Sequence, residues 1–215
     1  MSKWIIDTNI LCHWIMSYHV LPTLVKHFKL SDEFLTVYKN RYSDSCNFLE
    51  EVKKQPPDKH SFFIDELSMS ELFSAIRNEV RAIVLFVDGV PIAKWSSERE
   101  HSKGIINEQL SRNIMENTNK GIDSLVNDYK ISIIESHTAS SDKNYIEVYS
   151  SLIFLHPELK TQDAMLLCSA AFERLNFFAT TDNALVRLNS KLSDKLKVST
   201  ILPSTAIIKL KSKKQ

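Results

Sequence analysis

Lys3-Trp4-Ile5-Ile6-Asp7-Thr8-Asn9 changes character halfway along. The apolar run Trp4 to Ile6 is too short for a helix and suits a buried strand. Asp7-Thr8-Asn9 favours a turn and a helix N-cap, and Ile10-Leu11-Cys12 then begins a helix. An acidic residue therefore sits where a strand gives way to a helix. In open α/β sheets that rim is where ligands bind.

The same change recurs downstream. Phe62-Phe63-Ile64, Ile131-Ser132-Ile133-Ile134, Phe177-Phe178-Ala179-Thr180 and Val198 to Leu202 read as four further strands. Between the first two lie helices over Asn9 to Val20, from Pro22 to Phe28, and from Ser31-Asp32-Glu33 to Val52, closed by a linker with Pro56-Pro57. Ser68-Met69-Ser70-Glu71 opens a strong helix, which Asp88-Gly89-Val90-Pro91 ends. Residues 92–130 read as one or two helices anchored by Trp95 and Ile105-Ile106. Helices from about Ser141 to Leu155 and from Ala164 to Phe172 follow, the second being the most apolar of the chain. Short apolar strands alternating with helices imply a parallel sheet covered on both faces. The expected organisation is one domain over residues 1–215, with a helical insertion at about 87–130 and a basic C-terminal tail at about 203–215.

Composition narrows the function. The chain has 215 residues, enough for one α/β domain with a sizeable core. No apolar stretch approaches the ~20 residues that span a bilayer, and Asp7 interrupts any signal-peptide reading. Cys12, Cys46 and Cys168 are scattered and without metal-ligand spacing, so a reduced, cytoplasmic protein without structural zinc is expected. With Gly89, Gly104 and Gly121 as its only glycines, the chain has no Gly-rich phosphate loop. Net charge is +1, yet the segment from Arg187 onward carries +7 and the remainder −6. A basic end on an acidic body suits a polyanionic partner, with Lys209 to Lys214 as the steering charges.

Four carboxylates fall at strand ends or helix starts: Asp7, Glu71, Asp163 and Asp182. Singly, each has an ordinary structural use. Asp7 and Asp182 can cap helices, Asp163 suits a first helical turn, and Glu71 completes a Ser-x-x-Glu capping box with Ser68. Were Glu71 spent on that box, Asp65 or Glu66 would take its place. In a parallel sheet, however, such positions gather on one rim. Like charges a few ångströms apart repel by ~1 to 4 kcal/mol per pair, and a divalent cation removes that penalty. An all-oxygen site of this kind suits Mg²⁺ or Mn²⁺.

At these residues the chain resembles the PIN-domain nucleases, which include the VapC-type toxins of toxin–antitoxin pairs. The matching stretches are Ile6-Asp7-Thr8-Asn9, Ser70-Glu71-Leu72, Asp163-Ala164 and Thr180-Thr181-Asp182-Asn183. The resemblance implies a three-layer fold with a five-stranded parallel sheet ordered 3-2-1-4-5, and Mg²⁺- or Mn²⁺-dependent cleavage of single-stranded RNA. It carries over Asp7, Glu71, Asp163 and Asp182 as metal-binding catalytic acids, with Asn9, Thr181 and Asn183 as polar supports. An antitoxin protein and a homodimer are the protein partners it suggests. The long region from Cys12 to Asp58 and the insertion at 87–130 depart from a small toxin. The insertion's balanced charge favours a subunit interface over phosphate binding.

Arg77 and Arg81, one helical turn apart after Glu71, are the candidate RNA phosphate contacts. Trp95, Tyr149 and Phe154 have helical spacing and read as core, as does Cys168, while His13, His19 and His27 read as plain surface or core histidines. A haloacid-dehalogenase-like phosphatase also places an Asp after its first strand, but needs a second acid two residues later, where this chain has Asn9. The remaining alternative is a non-catalytic PIN-like module that binds RNA or a protein.

Overall fold

In the computed structural model, β1 (Ser2–Ile6) occupies the centre of a five-stranded sheet. The structure describes residues 1–91, 94, 106–135 and 143–212. Strands β2 (His60–Asp65), β3 (Ser132–Ile134), β4 (Phe177–Ala179) and β5 (Ser199–Ile201) complete it, all neighbours being parallel. The order is β3-β2-β1-β4-β5, as the resemblance implies.

The sheet separates two apolar layers because successive side chains along a strand point to opposite faces. Trp4 and Ile6 pack with Phe62, Ile64 and Ala179 on one face, and Ile5 packs with Phe178 on the other. The first layer is built by α1 (Thr8–Ile15), α2 (Leu21–Phe28), α3 (Asp32–Arg41), α4 (Ser43–Lys53), α5 (Glu66–Val87) and α6 (Glu108–Asn127). A π-helical turn, Met16–Val20, joins α1 to α2 just before Pro22, whose missing N–H cannot continue the α-helical bonding. The second layer is built by α7 (Lys143–Leu155), α8 (Thr161–Phe172), α9 (Asn183–Arg187) and α10 (Asn189–Leu196).

Several boundaries differ from those read in the sequence. The single helix expected from Ser31 to Val52 is two, because Tyr42 leaves helical geometry at φ −110°, ψ 21°. Its ring stacks on His13 at 3.9 Å, so a contact distant in sequence favours the bend. The expected basic tail forms α11 (Pro203–Lys211), which buries Ala206 and Leu210 against the α4 side. Lys213 and Lys214 lie outside the described residues, as do Trp95 and Ile105.

In the proposed insertion, α6 docks on its own chain through buried Leu110, Thr118, Gly121 and Leu125. No described helix is long and apolar enough to cross a membrane.

Candidate acidic site

The register of the sheet places two side chains beside Asp7 at the carboxyl end of the strands. Ser2 pairs with His60 and Ile6 with Ala179, so the next step along β1 sets Asp7 between Asp65 and Thr180. By alternation all three continue the face that carries Ile5 and Phe178. Thr180 Oγ1 donates to Asp7 Oδ2 at 2.8 Å and accepts from the Asp182 backbone N–H at 3.0 Å. One hydroxyl therefore ties the acid after β1 to the loop carrying the acid after β4.

Asp7 is the N-cap of α1, yet its side chain makes no capping bond to that helix. Its carboxylate is 6% exposed, and its pKa is raised to about 6. Burial is the main cause, opposed by the Thr180 hydrogen bond and reinforced by the charges of Asp163 and Glu71.

Glu71 arrives differently from expectation. Helix α5 starts at Glu66, and Asp65 is its N-cap, with Oδ1 accepting from the Leu67 N–H at 2.8 Å. Ser68 is therefore already inside the helix, and the Ser68–Glu71 capping box does not form. Glu71 stands in the second turn, where its Oε2 accepts from Thr8 Oγ1 at 3.0 Å. The same Thr8 hydroxyl lies 3.4 Å from the Ser68 carbonyl oxygen.

Asp163 lies in the first turn of α8, after the N-cap residue Lys160. Burial raises its pKa first; the charge of Lys160 lowers it, and those of Asp182 and Glu71 raise it again. Asp182 caps α9, with Oδ1 accepting from the Ala184 N–H at 2.7 Å and Oδ2 lying 4.0 Å from Lys160 Nζ. The four acids are thus electrostatic neighbours: Asp7 feels Asp163 and Glu71, and Asp163 feels Asp182 and Glu71. As placed, they do not close on one point, for among the described residues no three His, Cys, Asp or Glu form a metal-ready group.

Asn9 and Asn183 are exposed, and Thr181 is half-buried without a side-chain hydrogen bond among the described residues. The polar supports that touch the acids are Thr8 and Thr180, which the sequence reading did not single out. In-register pairing was the available signal, since Thr180 shares the row and face of Asp7 whereas Thr181 is one step out of phase.

Arg77 and Arg81 lie about 9 and 15 Å beyond Glu71 along the axis of α5. Neither makes an ion pair or side-chain hydrogen bond among the described residues. They flank the acids without touching them.

Other candidates resolve into packing. His13 donates to or accepts from Ser45 Oγ at 3.0 Å, and burial pushes its pKa down to about 4. Burial pushes the Cys168 thiol up to about 12, which leaves it an inert core residue. Tyr149 stacks on Tyr145, whereas Phe154, expected in the core, is 84% exposed.

The donor chemistry fits a hard divalent ion. Every donor is a carboxylate oxygen, and Asp7, Glu71 and Asp163 have no ion-pair partner within 4 Å among the described residues. Comparison of the chain with family models finds no match, and comparison with curated proteins finds none either.

Proposed function

We propose that the chain is a Mg²⁺- or Mn²⁺-dependent ribonuclease of the PIN kind, hydrolysing phosphodiester bonds of single-stranded RNA. One observation carries the reading: the buried carboxylate of Asp7 is held off its own helix by Thr180 and faces the charges of Glu71 and Asp163. Such an arrangement is unfavourable for the apo protein and favourable for a cation.

Asp7, Glu71, Asp163 and Asp182 would hold the ion. When bound, it supplies positive charge to the scissile phosphate and lowers the pKa of water. Thr180 and Thr8 fix the orientation of Asp7 and Glu71 with one hydrogen bond each. Asp182 spends Oδ1 on its helix, while burial and its acidic neighbours raise Asp163. Asp163 or Asp182 would accept the proton of the attacking water. Arg77 and Arg81 contact the RNA backbone away from the reacting phosphate. The toxin half of a toxin–antitoxin pair is the setting that the same resemblance suggests.

A second reading has its own support. Asp182 acting as a plain helix cap, together with acids that do not close on one point, suits a non-catalytic module that binds RNA or protein. Incubating single-stranded RNA with the protein in Mn²⁺ and in EDTA separates the two. The nuclease reading expects cleavage in Mn²⁺ alone and its loss in Asp7→Asn. No cleavage in either condition favours the module, whereas equal cleavage in EDTA overturns metal dependence.

A further inference from the structure

Lys160 stands at the N-cap of α8, a position where helix chemistry disfavours it. An N-cap side chain ordinarily accepts from the first N–H groups of the helix, and an ammonium has no lone pair to offer. Its charge also opposes the positive end of the helix dipole. The side chain accordingly makes no capping bond. It reaches instead toward the loop after β4, where Nζ lies 4.0 Å from Asp182 Oδ2. Its charge acts on Asp163 as well, three residues along, whereas no cation is among the groups that act on Asp7. Local rules of this kind are broken mainly at functional sites.

Given the ribonuclease reading, we infer that Lys160 is the substrate contact of the acidic site, which rests on Asp182 in the apo protein and binds the scissile phosphate of the RNA.

Charge makes such a group necessary. One divalent ion offsets half the charge of four ionised carboxylates, so the loaded site still repels a phosphodiester. Arg77 and Arg81 do not relieve that repulsion, because they lie about 9 and 15 Å beyond Glu71 along α5. Lys160 is the cation beside Asp163 and Asp182, at the rim itself.

Freedom to move is the second requirement. Lys160 is held by one ion pair at the limit of contact, its side chain is 75% exposed, and it donates no side-chain hydrogen bond among the described residues. Its flexible four-carbon stem therefore swings from Asp182 to a phosphate oxygen without a change in the backbone. While it rests on Asp182 it opposes entry of a metal ion, since both are drawn to the same carboxylate. Lys160 thus acts against the cation and for the RNA.

Those opposite signs can be measured. Lys160→Met removes the charge, keeps most of the stem and leaves no hydrogen-bond partner orphaned. Calorimetric titration of the RNA-free protein with Mn²⁺ is expected to show binding about threefold tighter in Lys160→Met and unchanged in Lys160→Arg. With a short single-stranded oligoribonucleotide at saturating Mn²⁺, Lys160→Met should raise KM by about fivefold or more, and Lys160→Arg should keep the wild-type value. Mn²⁺ affinity that is lowered in Lys160→Met would make Lys160 a support of Asp182 and overturns the inference. Unchanged Mn²⁺ affinity or an unchanged KM in a wild type that binds Mn²⁺ and cleaves RNA overturns it too, and leaves the ribonuclease reading standing. Wild type that binds no Mn²⁺ and cleaves no RNA overturns both.

Discussion

Thr180 Oγ1 donates to Asp7 Oδ2 across 2.8 Å while receiving the Asp182 N–H, joining two acids that are 175 residues apart in the chain. The bond favours the ionised form of a carboxylate that burial otherwise pushes toward neutrality. Much of the behaviour of the site follows from that opposition.

Thr180→Val keeps the shape of the side chain and removes the donor. A buried, charged acceptor left unpaired costs about 1–3 kcal/mol. The variant is expected to lose that much stability at pH 7 in urea denaturation, and less at pH 4, where Asp7 is protonated and can itself donate. An equal loss at both pH values would place the effect in packing.

The pKa of Asp7, raised from 3.8 to about 6, makes the native state bind more protons than the unfolded chain within that window. Stability in EDTA should therefore fall as pH rises from about 4 to 6 and level off above, by at most about 3 kcal/mol from this group. Asp163, also raised, acts in the same direction. Asp7→Asn should flatten the profile and be the more stable protein above pH 6 without metal. Saturating Mn²⁺ should shrink or reverse that difference by mass action. A less stable Asp7→Asn protein in EDTA at pH 7 contradicts the crowding of charge.

Gly121 marks a close approach of α6 to α1. A Cβ there would stand 2.9 Å from Ile15 Cγ1 and 3.1 Å from Cγ2, and Ile15 is fully buried. Gly121→Ala is expected to cost about 1–3 kcal/mol through overpacking, despite the gain of up to about 1 kcal/mol in helix propensity. In an Ile15→Ala background the same change should become neutral or stabilising. Denaturation of the four proteins in this cycle measures the coupling. A coupling near zero would remove the close approach.

Arg77 and Arg81 can be distinguished from the distant basic helix α11 by salt. Each arginine that neutralises a phosphate contributes roughly 0.7 to the salt slope on single-stranded RNA. Arg77→Ala should lower the slope by about that amount, whereas Lys211→Ala, which removes a partner of Glu51, should not change it. Fluorescence anisotropy across a salt series reads both. An unchanged slope in Arg77→Ala returns that residue to the solvent-facing side of α5.

The sheet and three of its acids were legible because strand-to-helix transitions are local events. Asp7 and Asp182 each sit at such a transition, and Asp163 at a helix start, in the structure as in the sequence. Glu71 misled because two candidate caps, Asp65 and Ser68, lie three residues apart, and the one at Asp65 won. Local spacing cannot rank them. Choosing between Thr180 and Thr181 turns on strand parity, which only the pairing of β4 with β1 fixes. Phe154 read as core from its spacing, but it falls near the end of α7, where no described layer covers it.

In the proposed ribonuclease, Asp7, Glu71, Asp163 and Asp182 form one cation site. Mn²⁺ titration of wild type and of Asp7→Asn, Glu71→Gln, Asp163→Asn and Asp182→Asn, by calorimetry with circular dichroism as the folding control, tests it most directly. Wild type is expected to bind Mn²⁺, and each folded variant to bind it at least tenfold more weakly. Wild type that binds no Mn²⁺, or four variants that bind it as wild type does, would contradict it.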